Sequence, residues 1–520
     1  MKNKTLALVV FICGMATMTL ELVGSRIFAP YVGTSIFVWT NLIGVILGFL
    51  SLGYAWGGKI ADKNPSANIF SLIILGAAFW IILLGFISDP VLVLIQQVVH
   101  DVRAAALLAA IVLFGVPSTL LGMVSPYAVK LKTYSPDKAG SAVGELYALS
   151  TIGSIAGTFL TGFVLLSYFG NTLILFGLAG VLILTALMVS RWAGKAKIFF
   201  FLIAVFLSCS SEVLASIIRG RDLVDVNTPY SRVWIYDLPA QGAKTARVMQ
   251  INDELSSMKI LGSQELLAPY TKYYELSGHF YPNPTSTLML GGAGYCYPEK
   301  FLSDYPQAAI DVVEIDPGVT RLAEKYFDLK EDSRLTIYHE DARTYLNRNK
   351  KIYNLIFVDV FRSSSIPFHV TTKEAVRKMA EALDDEGILM MNVISSIEGE
   401  AGEFLRAELA TLKTAFSQVY IYPVQDRDNA KLVQNLMVVA LKSKSIPKFY
   451  SRDAKLNDYL SHLWINPIVE DQAVLTDDFA PVDRYSLRNL SGLSASENPI
   501  FKHWKRLFSQ RTLFGEKAHS

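Results

Sequence analysis

The stretch Thr287-Leu288-Met289-Leu290-Gly291-Gly292-Ala293-Gly294, with Ala309-Ile310-Asp311-Val312-Val313-Glu314 after it, decides the fold of the second half of the chain. A short apolar run opens into glycines, and a second apolar run ends on a carboxylate. The spacing repeats downstream: Leu335-Thr336-Ile337-Tyr338 precedes Asp341, Asn354-Leu355-Ile356-Phe357-Val358 precedes Asp359, and Gly387-Ile388-Leu389-Met390-Met391 follows. Short apolar strands alternating with segments long enough for a helix predict a doubly wound, mostly parallel α/β sheet. Strand-like runs at 418–424 and 435–441 complete it. Upstream, Arg232-Val233-Trp234-Ile235-Tyr236, Arg247-Val248-Met249-Gln250-Ile251 and Met258-Lys259-Ile260-Leu261, the first two separated by the turn signal Pro239-Ala240-Gln241-Gly242, predict a small antiparallel β unit.

Doubly wound sheets bind ligands beyond the carboxyl ends of their strands, where the strand order reverses. Four polar features fall there. The glycines Gly291, Gly292 and Gly294 allow close backbone approach; Glu314, 20 residues beyond Gly294, stands where a carboxylate takes ribose hydroxyls; Asp341 follows the third strand and Asp359 ends the fourth. A dinucleotide fingerprint needs a third glycine where Tyr297 stands, and no GK[ST] phosphate loop is present. An adenosine ligand without pyrophosphate fits the set, which points to S-adenosylmethionine or its decarboxylated form. Taken singly, the glycines fit a tight turn and Glu314 or Asp359 fits a cap on the following helix; the ordered set favours the ligand.

Outward to the amino terminus, the composition changes. Residues 1–218 hold 12 of the 48 Lys+Arg and 7 of the 46 Asp+Glu, so this part carries +5 and the remainder −3. The apolar fraction of 52% and mean hydropathy of +0.34 concentrate there, which excludes a disordered chain. With no strongly basic surface, nucleic acid is not an expected partner. Cys13, Cys209 and Cys296 are too dispersed for a disulfide framework or a zinc pattern, so no metal is expected. Seven apolar stretches, near 6–28, 37–57, 68–87, 103–126, 142–167, 171–190 and 198–218, are long enough to span a bilayer. The first, although it follows Lys2 and Lys4, reads as a retained span and not as a signal peptide.

Lysine and arginine in the short loops (Lys59, Lys63; Lys130, Lys132, Lys138; Arg191, Lys195, Lys197) place those loops on the cytoplasmic side with the amino terminus. Seven full spans then put residues 219–520 outside, whereas six spans with 198–218 re-entrant or interfacial keep them inside. Glu212 and Ser208-Cys209-Ser210-Ser211 make that stretch the weakest. The small-residue spacings Gly44…Gly48, Gly53…Gly57 and Gly153…Gly157 predict close helix contacts. Glu21 and Arg26 form a structural pair, or Arg26 snorkels to the interface, and transport stays a minor alternative.

Residues 228–395 resemble the spermidine synthase (polyamine aminopropyltransferase) family, and the whole chain resembles bacterial proteins in which a multi-span membrane region is fused to such a domain. The resemblance rests on Tyr230-Ser231-Arg232, Tyr273-Tyr274-Glu275, Gly291-Gly292-Ala293-Gly294, Val313-Glu314-Ile315-Asp316, Glu340-Asp341-Ala342-Arg343 and Val358-Asp359. Glu21 to Trp39, Gly57-Gly58-Lys59-Ile60-Ala61-Asp62 and Leu475-Thr476-Asp477-Asp478-Phe479-Ala480-Pro481-Val482 extend it. It implies a helical membrane domain over 1–218, a small β unit over 219–285 and a class I methyltransferase-like catalytic domain over 286–520, in the cell membrane. It further implies that Glu314 holds the ribose, Asp341 the adenine amino group, and that Asp359 is the catalytic carboxylate with Tyr273 positioning the same nitrogen. A protonated alkylamine must lose a proton before it attacks carbon next to a sulfonium, and a carboxylate within reach serves as base.

Departures from the family pattern bear on the acceptor. Ala293-Gly294-Tyr295 lacks the acid of the family's GGGDG loop, Arg362 replaces an acid after Asp359, Pro269 and Tyr270 replace an acidic pair, and Asn252 to Ser256 replaces DGxxQ. A diamine needs carboxylates for both cationic ends, so putrescine fits poorly. Glu275, Asp477, Asp478 and Asp483 are the remaining acids for a cationic substrate, and Arg362 suits an anion such as the carboxylate of intact S-adenosylmethionine. Three chemistries follow: aminopropyl transfer to another amine or an amphipathic acceptor with release of methylthioadenosine, methyl transfer, or lyase-like release of homoserine lactone. An adenosyl sensor is the reading without turnover. Because S-adenosylmethionine is a cytosolic metabolite, the cytoplasmic side is favoured for the soluble domain; lipid contact is expected, and the oligomeric state stays open between a homo-oligomer and a chain whose membrane helices replace the family's dimer contact.

Overall fold

A computed structural model of the chain describes residues 3–99, 101–132, 139–190, 223–240, 245–361 and 366–491. The chain divides into two compact units, Met1–Ser231 and Arg232–Ser520.

Among its described residues, the first unit contains six helices long and apolar enough to cross a membrane. They are α1 (Asn3–Val32), α2 (Ile36–Lys63), α3 (Ala67–Val98), α4 (Val102–Lys132), α5 (Ala139–Leu160, extended by a π turn at Thr161–Leu165 and a last turn to Tyr168) and α6 (Asn171–Val189). These helices are apolar on every side, the signature of a buried or membrane-spanning helix. Phe79, Phe159, Phe163 and Leu47 remain exposed while Phe28, Phe70, Phe114 and Phe176 fill the interior. The stretch 198–218 lies outside the described residues.

The helices meet through small residues. A Cβ on Gly53 of α2 would stand 2.2 Å from the Thr119 carbonyl oxygen of α4, and one on Gly153 of α5 would stand 2.0 Å from that of Phe11 of α1. Gly57 and Gly157 are as tightly held, against Met123 and Met15. Gly44 and Gly48, expected to mediate contact as well, face open space. Helical period explains the difference: nine residues separate Gly44 from Gly53, about two and a half turns, so the two pairs lie on opposite faces. Glu21 is buried, and Arg26 donates a hydrogen bond to the carbonyl of Pro229. The first unit also contains a short strand, β1 (Val224–Asn227).

The second unit begins with an antiparallel meander of β2 (Arg232–Pro239), β3 (Thr245–Ile251) and β4 (Glu254–Ile260). Two short helices follow, α7 (Pro269–Tyr273) and α8 (Leu276–Phe280). Then come β5 (Ser286–Leu290), α9 (Cys296–Asp304), β6 (Ala309–Val313), α10 (Pro317–Tyr326), β7 (Leu335–Tyr338), α11 (Ala342–Arg348) and β8 (Tyr353–Val358). The chain continues through α12 (Phe368–Thr371), α13 (Lys373–Glu381), β9 (Leu383–Ser395), α14 (Glu403–Leu412), β10 (Gln418–Pro423), β11 (Gln434–Leu441), α15 (Ala454–Leu460) and α16 (Val482–Ser491).

The seven-stranded sheet runs β10-β11-β9-β8-β5-β6-β7. β9, β8, β5, β6 and β7 are parallel, whereas β11 and β10 join antiparallel at one edge. Strands covered on both faces read as nearly continuous apolar runs, and Leu288, Leu290, Ile356 and Val358 are fully buried. From β5 the chain winds outward through β6 and β7, then returns to β8 on the other flank. The carboxyl ends of β5 and β8 therefore form the switch point. Caps turn the helices away from this edge: Asp316 accepts from the Gly318 N–H ahead of α10, with Pro317 in the first turn, and Asp341 accepts from the Thr344 N–H ahead of α11.

Candidate active site

β5 delivers its glycines against the end of β8. Gly291 adopts φ +94°, and a Cβ there would stand 2.4 Å from the main-chain oxygen of Asp359, so both conformation and space require glycine. Main-chain bonds fix the crossing: the Asp359 N–H donates to Leu290 O at 2.9 Å and the Gly291 N–H to Val313 O at 2.9 Å. Gly294 closes the loop by donating to Ser257 Oγ of β4 at 2.9 Å.

Glu314, beyond the end of β6, turns back on this loop. Its Oε2 accepts from the N–H groups of Gly292 (3.0 Å) and Ala293 (3.2 Å), and its Oε1 from Asp316 N–H (2.9 Å). Glu314 thus shapes the glycine loop, and Asp316, not Glu314, caps the next helix. A carboxylate offers about four lone-pair sites, so the three backbone bonds leave acceptor capacity for a hydroxyl.

Asp359 is partly buried. Its Oδ2 accepts from the Tyr270 hydroxyl at 3.1 Å and its Oδ1 from Asn392 Nδ2 at 3.2 Å. Burial pushes its carboxyl above the ordinary carboxylate value, opposed by Asn392, Tyr270 and Tyr274. Burial and the Asp359 charge also hold the phenols of Tyr270 and Tyr274 far above their usual range, so both stay protonated, and Tyr270 is the one that donates to Asp359. A carboxylate with a raised pKa and an accessible edge is suited to take a proton near neutral pH.

Tyr273 does not join this group. Its hydroxyl pairs with His462 Nδ1 at 2.8 Å and its ring lies on Tyr459, centroids 4.8 Å apart. The cause is helical: Tyr270 and Tyr274, four residues apart, share one face, with ring centroids 6.1 Å apart, while Tyr273 turns about 100° away. Tyr270, which in sequence only marked a missing acid, meets Asp359 instead.

The other acids gather elsewhere. Asp341 Oδ1 caps α11, and its Oδ2 pairs with His369 Nε2 at 2.9 Å. Burial works against its ionisation, yet the Thr344 N–H and His369 together hold its carboxyl below the ordinary range. Arg343 donates to the His369 carbonyl (3.1 Å) and to Asp477 (2.7 Å), and Asp477 also accepts from Thr372 Oγ1 (2.6 Å). Glu275 is ion-paired to Lys455 at 2.6 Å, and Asp478 is exposed on the Thr476–Phe479 turn. Arg362 lies outside the described residues. The glycines, Glu314, Asp341 and Asp359 therefore share the carboxyl edge of four neighbouring strands, whereas Glu275 and Asp477 are committed to ion pairs. Sequence reading missed Tyr270, His369 and Asn392. The polar amide at 392 in the apolar run 387–393 was a visible signal, and the Tyr270/Tyr274 spacing was another.

Residues 273–446 match the spermine/spermidine synthase domain. A polyamine aminopropyltransferase of Vibrio vulnificus is 25% identical over 227 residues, covering 41% of this chain and 74% of that protein. A probable polyamine aminopropyl transferase of Bifidobacterium longum is 25% identical over 295 residues, covering 51% of this chain and 66% of its own length. Among solved structures, a probable spermidine synthase from Corynebacterium glutamicum is similar with a TM-score of 0.40 and 20% identity, over 48% of this chain and 89% of that one. Residues 273–446 of the C-terminal half are thus similar to a spermine/spermidine synthase domain. The comparisons support a transferase, and neither of these relatives is named as a lyase.

Proposed function

We propose that the chain is a membrane-integral aminopropyltransferase that binds decarboxylated S-adenosylmethionine at the switch point, with its catalytic domain on the cytoplasmic side. The observation that carries this reading is the partly buried Asp359, held by Tyr270 and Asn392 against the glycine loop. Asp359 takes the proton of an ammonium group. The freed nitrogen lone pair attacks the carbon next to the sulfonium, the carbon–sulfur bond breaks with its electron pair going to sulfur, and methylthioadenosine leaves as a neutral thioether. Glu314 has acceptor capacity for the ribose. Asp341 reads the adenine amino group once His369 gives up Oδ2.

The acceptor is an amine that demands fewer carboxylates than putrescine, because Glu275 and Asp477 already neutralise Lys455 and Arg343. An amphipathic amine reaching the site from the bilayer meets that requirement, and a homo-oligomer is compatible with it. The test is turnover of decarboxylated S-adenosylmethionine by the detergent-purified protein with a panel of mono-, di- and polyamines, beside calorimetric binding of methylthioadenosine. Asp359→Asn is expected to lower kcat by about 10²–10⁴-fold while methylthioadenosine binding persists. Unchanged turnover in that variant, or no binding by the wild type, overturns the reading.

A further inference from the structure

A chain of three side-chain amides runs from Asp359 to the exposed loop joining β10 and β11. Asn392 donates to Asp359 from Nδ2 (3.2 Å), and its Oδ1 accepts from Asn435 Nδ2 (3.0 Å). Asn435 Oδ1 accepts from Gln425 Nε2 (3.1 Å), and Gln425 Oε1 accepts from the main-chain N–H of Asn435 (3.1 Å). The register makes the first link natural. Asn392 pairs with Met437 across β9 and β11, and Asn435 with Ile394, so the two asparagines are diagonal neighbours on one face of the sheet.

The sense of this chain is dictated from its outer end. A main-chain N–H can only donate, so Gln425 must turn its carbonyl to Asn435 N–H and its NH2 to the Asn435 side chain. Asn435 must then present its own NH2 to Asn392, and Asn392 its NH2 to Asp359. Gln425 is itself anchored, because its main-chain N–H donates to Gln434 Oε1 at 2.8 Å. No link is ionisable. Among the described residues, the titratable groups facing Asp359 from the other side are Tyr270 and Tyr274.

We propose that Asn435 and Gln425 are positioning residues which, through Asn392, hold an N–H and not a carbonyl against Asp359, keeping that carboxylate an acceptor. The inference deepens the function proposed above and rests on it for the meaning of Asp359 as a base. The orientation itself can be tested without substrate.

Gln425→Glu is the informative change, because position 425 is exposed and remote from the reacting groups. A glutamate there accepts from both the Asn435 main-chain N–H and the Asn435 NH2. That reverses Asn435, then Asn392, and brings the Asn392 carbonyl onto Asp359. Two acceptors face each other stably only if Asp359 is protonated.

The experiment is a pH titration of the full chain in detergent by difference infrared spectroscopy, with the Asp359 carbonyl band assigned by its loss in Asp359→Asn. The Asp359 midpoint is expected to rise by about one pH unit in Gln425→Glu and by less in Gln425→Met, which removes the outer anchor without imposing the reverse sense. In an Asn392→Leu background, adding Gln425→Glu is expected to move it no further. An unchanged midpoint in Gln425→Glu overturns the proposal, as does an equal shift in the Asn392→Leu background, which would mean a direct effect of the new charge. Absence of turnover in the wild type contradicts the proposed function and leaves this infrared result to be judged alone.

Discussion

Tyr270 and Glu408 show how single side chains set the behaviour of the second unit. The Tyr270 hydroxyl stabilises the ionised form of Asp359, so Tyr270→Phe is expected to raise the Asp359 pKa further. The acid limb of the kcat/KM profile then moves to higher pH, with a loss of about tenfold at neutral pH that shrinks as the pH rises; a profile displaced equally at all pH values would argue against it. Glu408, on α14, is fully buried with neither carboxylate oxygen hydrogen-bonded, and burial drives its carboxyl well above the ordinary glutamate value of about 4.5. Its folded-state pKa exceeds its unfolded one, so stability is fully present below about 4.5 and falls as the pH rises above that value. Glu408→Gln is therefore expected to raise Tm by a few degrees at pH 8 and to change it little at pH 4, as thermal scans at the two pH values can show. Asp359, Glu314 and Asp341 were legible in sequence because each follows a strand. Tyr273 misled because adjacency in sequence says nothing about which face of a short helix meets the sheet.

At the scale of elements, the same limit recurs in the helical unit. Gly44…Gly48 and Gly53…Gly57 are the same pattern in sequence, yet only the second pair meets backbone, of α4. Gly53→Leu is expected to push α2 from α4 and lower the detergent-solubilised protein's thermal midpoint by several degrees, while Gly44→Leu leaves it within about a degree. Equal effects would contradict the packing described. The strands β5 to β8 were readable because apolar runs with turn residues at both ends admit few alternatives. The direction of β10 and β11 was not, since antiparallel pairing at the edge depends on partners far away in sequence. The amide chain from Asn392 to Gln425 depends on that pairing, which is why only its inner member left a mark in the sequence.

For the whole molecule, the division into a helical and an α/β part was visible in charge density alone, with 7 acidic residues in the first 218 positions of 520 and 39 in the rest. Six helices of membrane-spanning length among the described residues, with many large apolar side chains exposed on them, lead us to expect that the protein stays in the pellet after alkaline carbonate extraction and needs detergent for release; release by carbonate would contradict membrane integration. The number of crossings was not legible, because it turns on 198–218, where polar residues dilute the apolar signal. Acceptor identity was not legible either, since two of the acids that could have marked it, Glu275 and Asp477, are paired with Lys455 and Arg343.

The reaction proposed for the switch-point site is cleavage of the carbon–sulfur bond of an adenosyl sulfonium with an amine as nucleophile. Mass spectrometry of products from decarboxylated S-adenosylmethionine, with and without amine, tests it most directly. The expected products are methylthioadenosine and an amine heavier by one aminopropyl group, in equal amounts and only when amine is present. Methylthioadenosine formed equally well without any amine, or a methylated product from intact S-adenosylmethionine in its place, would contradict it.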